Sequence, residues 1–297
     1  MGAQEPTPRL VADADALAAL VERLRGESIL ALDSESNSFH VYRERVCLLQ
    51  LSTRAEDFVV DPIAVDPRPL GAVLCDGREV VLHGADYDVR CLRREYGWQL
   101  PRLFDTMAAA RRLGRPAVGL AALVEARFGV RMSKSFQRSD WGRRPLAKDQ
   151  LAYASLDTHF LLELRDELHA ELTREGKLDE AVREFERIAA VEFREKVFDP
   201  EAWRRIKGAR DLDPRGRTVL RGLFLAREER ARALDRPPFK VIGDEALLEI
   251  AKRKPGTVDA LSGVRGVTPA VLRKLGDEIL RVVAASAEGQ GPGPGAP

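Results

Sequence analysis

Three runs decide the fold: residues 28–34, SILALDS; residues 46–53, VCLLQLST; and residues 57–62, DFVVDP. Each run is short, β-branched or alternating in polarity, and a polar connection separates it from the next. This pattern predicts three antiparallel strands joined as a meander. A short helix around residues 70–74 and a fourth apolar strand at 79–83, EVVLH, follow, and the pattern then becomes helical almost to the end. The order predicts an α/β domain in which helices pack on a mixed sheet.

The chain on either side of these runs divides into five segments. Residues 11–25 have apolar positions at helical spacing, and Gly26 is placed to end that helix. A second block, beyond the charged stretch that follows residue 175, is wholly helical. The boundaries we predict are a disordered N-terminus at 1–10, an α/β domain at 11–175, a helical linker at 176–200, a helical domain at 201–284 and a disordered Gly/Pro tail at 285–297.

Composition limits the class of protein. The 297 residues exceed one typical domain, and 44% hydrophobic with 32% charged residues is the profile of a soluble globular chain. The formal net charge is only +1, so any basic surface for nucleic acid must be local. No apolar run could span a bilayer, and no secretion signal precedes the first helix. The odd number of cysteines, without CxxC spacing, argues against a disulfide framework or zinc site and predicts a cytoplasmic location without membrane association.

The first run ends in two acids, Asp33 and Glu35, within LDSES at 32–36. Side chains alternate along a strand, so both carboxylates project from the same face. Hard divalent cations need several carboxylate oxygens that converge on one point, and this pair would supply two. Taken alone, the pair is a weak signal and is more typical of an acidic strand end before a turn.

The second acidic cluster is HGADYD at 83–88. Gly84 allows a tight turn after the fourth strand, and we expect Asp86 to cap the helix that follows. Asp88, one turn into this helix, is then the candidate ligand. An acid in a first helical turn is also common for purely electrostatic reasons. His83 fits a hydrogen-bonded structural histidine as well as a substrate contact, and we leave it out of the predicted site.

The third cluster is YASLD at 153–157, within a helix. Tyr153 and Asp157 lie at i and i+4 and therefore on one face of that helix. A packed aromatic beside a solvated acid is the ordinary interpretation of such a pair. The order of all three clusters along the chain carries the argument.

DSE, HGADYD and YASLD in this order resemble the three motifs of the ribonuclease D family, in the DEDDy group of 3′→5′ exonucleases. The stretches at 38–53 and 135–157 are similar to the family's segments after the first motif and before the third, including Gln137, Ser139, Asp140 and Trp141. The resemblance covers nearly the whole chain. It implies an RNase H-like exonuclease fold and two divalent ions, Mg²⁺ or Mn²⁺.

The resemblance also implies the roles of the site residues. Asp33, Glu35 and Asp157 would bind one ion, and Asp33 would be shared with the second. Asp88 would complete the site partly through water, and Tyr153 would orient the attacking water. Elementary electrostatics supports the same set, because crowded carboxylates raise one another's pKa unless cations neutralise them. Two ions about 4 Å apart would activate the water and stabilise the leaving oxygen.

The helical block at 201–284 resembles the helicase-and-RNase-D C-terminal (HRDC) domain. REERARALDRPPF at 227–239, ALLEIA at 246–251 and the LSGVRGV turn at 261–267 carry this resemblance. Basic residues outnumber acidic ones here, and a helix–turn–helix pair can present them to phosphates. A bundle with a solvated cationic face, or a domain that contacts protein, fits as well. The candidate RNA-binding residues are Arg204, Arg205, Lys207, Arg210, Lys252, Arg253 and Lys254.

The resulting prediction is a metal-dependent exonuclease that removes nucleoside 5′-monophosphates from RNA 3′ ends, in tRNA or other stable-RNA maturation. Its partner would be RNA with a free 3′ end, either single-stranded or as the tail of a structured RNA. Two alternatives stay open from the sequence. The same four acids serve DNA-directed proofreading exonucleases, and a non-catalytic RNA-binding scaffold would belong to another class altogether.

Overall fold

The structure, a computed structural model, describes residues 7–133, 135–193 and 197–287. Residues 7–37 and 45–193 form one compact unit, and residues 38–44 and 197–287 form a second. The first contains a sheet with helices and the second contains helices alone. The predicted fold class, an α/β exonuclease domain followed by a small helical domain, is confirmed.

A six-stranded mixed sheet, in the order β1-β4-β3-β2-β5-β6, forms the centre of the first unit. The pairs β2–β3 and β3–β4 are antiparallel, as the predicted meander requires, whereas β5 pairs parallel with β2. Every residue of the central strand β3 is buried. The strands are β1 Arg9–Val11, β2 Ile29–Ser36, β3 Val46–Ser52, β4 Asp57–Val60, β5 Glu79–Leu82 and β6 Arg102–Asp105.

The two outermost strands differ from the sequence-based prediction. Residues 9–11 form β1, so the predicted disordered N-terminus is wrong at residues 9 and 10. They pair in parallel with β4, with Leu10 opposite Val59. The prediction that the chain is helical beyond the fourth strand is wrong at β6, which pairs in parallel with β5. Both strands have four residues or fewer, too few to show a periodic pattern.

Helices cover the sheet of the first unit. Residues 176–200 were predicted as a linker, but α8 within them buries Ala181 and Phe185 in the hydrophobic core, where the Phe185 ring lies 4.7 Å from that of Phe104. The apolar residues of α8 recur at helical spacing, at Leu178, Ala181, Phe185 and Ile188, so the sequence did carry the signal that this helix packs on the core. The helices are α1 Ala14–Arg25, α2 Gly71–Leu74, α3 Asp86–Tyr96, α4 Thr106–Arg112, α5 Leu120–Phe128, α6 Lys148–His159, α7 Leu161–Arg174 and α8 Leu178–Ala189.

The second unit is a small helical bundle with its own core. Asp213 caps α9 by accepting from the Gly216 N–H, and Thr268 caps α13 in the same way from Val271. Both caps precede a proline in the first helical position, where its missing N–H costs nothing. The helices are α9 Pro214–Ala233, α10 Pro238–Val241, α11 Asp244–Arg253, α12 Val258–Ser262 and α13 Pro269–Ala285.

The second unit includes residues 38–44, which directly follow β2 in the chain. The Tyr42 hydroxyl donates to Glu228 and accepts from Arg232 Nε at 2.8 Å, and the Tyr42 N–H donates to Asp235 at 3.1 Å. The Tyr42 ring packs against the core of the bundle. The predicted disordered tail at 285–297 is wrong at residue 285, which is the last residue of α13, whereas residues 1–6 and 288–297 of the predicted disordered ends lie outside the described residues. Within the described ranges, no helix has the length and apolar character that a membrane span requires.

Candidate active site

Two of the predicted acids lie at the end of the central strand β2. Asp33 stands opposite Gln50 and Glu35 opposite Leu48 on β3, so both carboxylates project from one face, as predicted. The β2–β3 register shifts between Glu35 and Ser36, where the ladder ends. Both acids are half-buried. The sheet therefore holds them firmly while leaving part of each carboxylate accessible to solvent.

The third acid, Asp88, comes from α3. Pairing between β5 and β2 stops at Ala31, so residues 33–36 have no strand partner on that side, and α3 begins beyond the end of β5. Asp88 is 6% exposed, and its Oδ1 accepts a hydrogen bond of 2.5 Å from Ser34 Oγ. Ser34 thus ties the first motif to the second, a contact that the sequence analysis did not predict.

The turn before α3 differs from the prediction. Asp86 is not the cap: the N-cap is Ala85, and Asp86 pairs with Arg90 along the helix. The free N–H groups of Gly84 and Ala85 instead donate to the carboxylate of Asp105, at 3.0 and 2.9 Å. Asp105 also accepts from Met107 and Ala108, so one buried acid fixes the starts of α3 and α4. An Asp–Thr pair before the helical pattern MAAARR is the sequence signal that would have identified this cap.

Helix α6 carries Tyr153 and Asp157 on one face. Its last turn is fixed to the sheet, because Ser52 Oγ donates to Thr158 Oγ1 at 2.7 Å and His159 Nδ1 lies 2.8 Å from Asp57 Oδ2. The Tyr153 ring stacks on Trp141, with centroids 6.2 Å apart, and meets the edge of Phe136 at 5.6 Å. These two rings restrict the directions in which the phenol can point.

The segment that carries Trp141 is anchored by Arg144. Its guanidinium binds the Asp61 carboxylate with two hydrogen bonds of 2.5 and 2.6 Å, and also the carbonyls of Trp141 and Cys47. Burial acts to raise the pKa of Asp61, but Arg144 and the Ile63 and Ala64 N–H groups outweigh it and hold the pKa below its usual range. The wall behind Tyr153 is therefore rigid.

Electrostatics links the four acids and Tyr153, because charges within this set act on the pKa values of other members. Burial raises the pKa of Glu35 to about 9, and the charges of Asp157 and Asp88 add to this effect. Burial likewise raises the pKa of Asp157 to about 7, and that of Asp88 to about 6 against the opposing bond from Ser34. The pKa of Asp33 lies well above its ordinary value, from burial first and then from the other three charges. The pKa of the Tyr153 phenol is raised by burial and by three of the same carboxylates, so the phenol stays protonated at neutral pH.

The donors fit a hard divalent cation by their chemistry. All four are carboxylates, and a cation among them would offset both burial and mutual repulsion. In residues 7–133, 135–193 and 197–287, however, no three His, Cys, Asp or Glu side chains are gathered closely enough to form a ready-made metal site. The donor set therefore suits Mg²⁺ or Mn²⁺, provided that the side chains close on the ion.

The remaining residues singled out from the sequence are His83 and the seven basic candidates, and they differ in whether another side chain pairs with them. His83, which we left out of the site, shares a 2.9 Å hydrogen bond with Thr106. Most of the basic candidates in the second unit form ion pairs: Arg204 with Glu201, Arg205 with Asp199, Lys252 and Arg253 with Glu249, and Lys254 with Asp213. Lys207 and Arg210 are exposed and have no ion-pair partner among the described residues. Of the seven candidates, these two are therefore the ones whose charge is not already paired in the described part of the chain.

Comparison with known proteins identifies the family of each part of the chain. A family model for a 3′-5′ exonuclease matches residues 8–173, and an HRDC domain model matches residues 217–283. Ribonuclease D of Gluconacetobacter diazotrophicus is 36% identical over 288 residues, which cover 95% of this chain and 72% of that protein.

Two solved structures extend the comparison. The catalytic core of RRP6 from Trypanosoma brucei superposes with a TM-score of 0.85 at 28% identity, covering 96% of this chain and 84% of that one. Escherichia coli RNase D, described as an exoribonuclease involved in structured RNA processing, gives a TM-score of 0.71 at 31% identity, covering 94% and 75%.

Proposed function

The chain belongs to the ribonuclease D family of 3′-5′ exoribonucleases, and from this premise we propose that it removes nucleoside 5′-monophosphates one at a time from RNA 3′ ends by metal-dependent hydrolysis. The observation that supports the proposal best is the mutual electrostatic influence of Asp33, Glu35, Asp88 and Asp157 beside Tyr153. Burial raises the pKa of all four acids, and charges within the set add to this effect at Asp33, Glu35 and Asp157, so cations at the site would favour the ionised acids at neutral pH.

The four carboxylates hold the ions in this proposal. Asp33, Glu35, Asp88 and Asp157 are the residues that would hold two divalent ions, Mg²⁺ or Mn²⁺. When bound, the ions supply an activated water and stabilise the charge that develops on the scissile phosphate and the leaving 3′ oxygen. Ser34 holds one Asp88 oxygen by its 2.5 Å hydrogen bond, which leaves the other oxygen for the site.

Tyr153 orients the attacking water in this proposal. Its phenol is protonated at neutral pH and stands among the charges of Asp157, Glu35 and Asp33, where it can donate or accept a single well-directed hydrogen bond. Trp141 and Phe136 keep the ring from turning away. A fixed phenol reduces the freedom that the water loses on reaching the transition state.

The second unit anchors the RNA in this proposal, with Lys207 and Arg210 as the first phosphate contacts. The substrates we propose are tRNA or other stable RNAs with a free 3′ end, and the proposed location is the cytoplasm. Cys47, Cys75 and Cys91 are all free thiols, which supports a reducing compartment.

The test uses matched single-stranded RNA and DNA oligonucleotides with a 5′ label and the full-length protein. We expect a ladder of RNA products shortened from the 3′ end, nucleoside 5′-monophosphates as the released product, and no cleavage in the presence of chelator. Asp33→Asn is the negative control. Faster cleavage of the DNA would favour a DNA-directed exonuclease, and RNA binding without cleavage would favour a scaffold.

A further inference from the structure

A buried glutamine lies next to the proposed site without any partner for its amide. Gln50 is in the middle of β3 and is 0% exposed. Among the described residues, neither its Nε2 nor its Oε1 has a hydrogen-bond partner. The other residues of the VCLLQL stretch are apolar, so the strand itself does not require an amide at this position. Nearly all buried polar groups in proteins are paired, and one that is not needs an explanation.

The register of the sheet places Gln50 against the catalytic strand. It stands directly opposite Asp33 in the β2–β3 pair, so the two side chains project from the same face. Opposed residues of an antiparallel pair have Cβ atoms about 4.5–5.5 Å apart. A glutamine side chain is long enough to reach the carboxylate of such a neighbour.

Helix α6 covers the same face. Leu48 and Ser52, two positions before and after Gln50, project in the same direction. Leu48 shares a buried cluster with Ala154, and Ser52 donates to Thr158. Ala154 and Thr158 are one helical turn apart, and that turn includes Asp157. Gln50 is therefore opposite Asp33 on the sheet face that is covered by the α6 turn carrying Asp157.

Burying an unpaired amide costs free energy that an apolar side chain of similar volume would not. Loading the site changes this balance, because both neighbouring carboxylates must then be ionised, and each has oxygens that do not face the ion. An amide N–H₂ group supplies two donors for such oxygens. Hydrogen bonds of this kind set the orientation of metal-binding carboxylates in many sites.

We propose that Gln50 is a positioning residue, whose side-chain N–H₂ group donates to the Asp33 and Asp157 carboxylates and turns them towards their common ion. The inference rests on the proposed function, since it assigns the ion to those two acids. In this inference the amide and both carboxylates reach their final orientation together when the ion binds.

The test compares Gln50→Met with the parent in the full-length protein. Binding of Mn²⁺ alone, without RNA, is measured by titration calorimetry, the thermal unfolding of the metal-free protein by scanning calorimetry, and kcat and KM on a short RNA by product release. We expect Mn²⁺ affinity to fall by about 10–100-fold and kcat to fall with it. KM for RNA should stay unchanged, and the metal-free variant should unfold at no lower temperature than the parent, because an unpaired amide has been removed.

Leu49→Met is the matched control. Leu49 immediately precedes Gln50 on β3 and is equally buried. Its side chain belongs to the hydrophobic core on the opposite face of the sheet. This variant should bind Mn²⁺ as the parent does. Unchanged Mn²⁺ affinity in Gln50→Met would overturn the inference, and so would an equal loss of affinity in Leu49→Met, which would indicate a general packing effect. A parent that binds no Mn²⁺ would instead refute the proposed function itself.

If Gln50→Met does not fold, the parent still provides a test. The side-chain N–H₂ resonances of Gln50, observed with selectively labelled glutamine, should shift downfield on addition of Mg²⁺ as the two donors find carboxylate acceptors. Resonances that do not move while Mg²⁺ stabilises the protein would overturn the role.

Discussion

Replacing Glu35 by glutamine should make the metal-free protein more stable and at the same time abolish cleavage. Gln has almost the same shape as Glu but carries no charge, so the substitution isolates the electrostatic effect. Burial, with the charges of Asp157 and Asp88, raises the pKa of Glu35 from 4.5 to about 9 in the folded protein. The folded state therefore disfavours the ionised form that the unfolded chain adopts freely above pH 4.5.

The sign and size follow from this difference. The contribution of Glu35 to the free energy of unfolding is fully present below pH 4.5 and is lost as the pH rises towards 9. The reason is that Glu35 loses its proton at a lower pH in the unfolded chain than in the folded protein. Between pH 4.5 and pH 7 the loss is about 1.4 kcal/mol per pH unit, or about 3 kcal/mol in all. Glu35 is only half-buried, so solvent screens part of this effect. We therefore expect a measured gain of about 1–3 kcal/mol for Glu35→Gln at pH 7.

The measurement is scanning calorimetry of the full-length protein in chelator, at several pH values between 5 and 8. The transition that Mg²⁺ shifts in the parent reports on the unit that contains the site. A gain of 1 kcal/mol should raise its midpoint by about 2–4 °C, and the difference between variant and parent should grow with pH. Glu22→Gln, at an exposed residue on α1, is the control and should change stability by less than about 0.5 kcal/mol. A Glu35→Gln protein that is less stable than the parent, or a difference independent of pH, would refute the reasoning.

Three further predictions concern activity. Removing the charge from any other acid of the site, by Asp33→Asn, Asp88→Asn or Asp157→Asn, should lower the rate of cleavage by orders of magnitude without unfolding the protein. Near-parental activity in one of these variants would show that its residue is misassigned. Tyr153→Phe should lower kcat and leave KM for RNA nearly unchanged, whereas a raised KM with parental kcat would return Tyr153 to a packing role. Substituting both Lys207 and Arg210 by Gln should flatten the dependence of RNA affinity on salt by about 0.7 log units per lost contact, measured by fluorescence anisotropy on one structured RNA. An unchanged slope would mean that these cations do not touch phosphate.

The parts of the fold that were predictable are those with a local signal. The strands β2, β3 and β5 and helix α6 have the length, periodicity or flanking glycine that pattern-based reasoning needs, and the acids at their ends follow from strand alternation and helical spacing. Edge strands β1 and β6 have no such signal. They exist because β4 and β5 offer free backbone groups to pair with, a cause that lies elsewhere in the chain.

The contacts that complete the site were not predictable, because they depend on register. Ser34 meets Asp88 across 54 positions of sequence, and Asp105 reaches back 20 residues to the Ala85 N–H. Gln50 looks like an ordinary strand residue until β3 is aligned with β2. Local patterns identify the acids, but only the paired sheet shows what orients them.

Residues 38–44 bear on how the second unit should be tested. The chain leaves β2 two residues after Glu35, contributes Tyr42 to the helical bundle, and returns to form β3. The bundle is thus connected to the catalytic strand by this excursion as well as by the chain beyond α8. Truncation before residue 197 would remove Glu228, Arg232 and Asp235, the hydrogen-bond partners of Tyr42. A loss of activity after such a truncation would therefore not separate RNA anchoring from disturbance of the strand that carries Asp33 and Glu35. Substitutions of exposed cations on the bundle leave Tyr42 paired, so a change in salt dependence caused by them reports on phosphate contact alone.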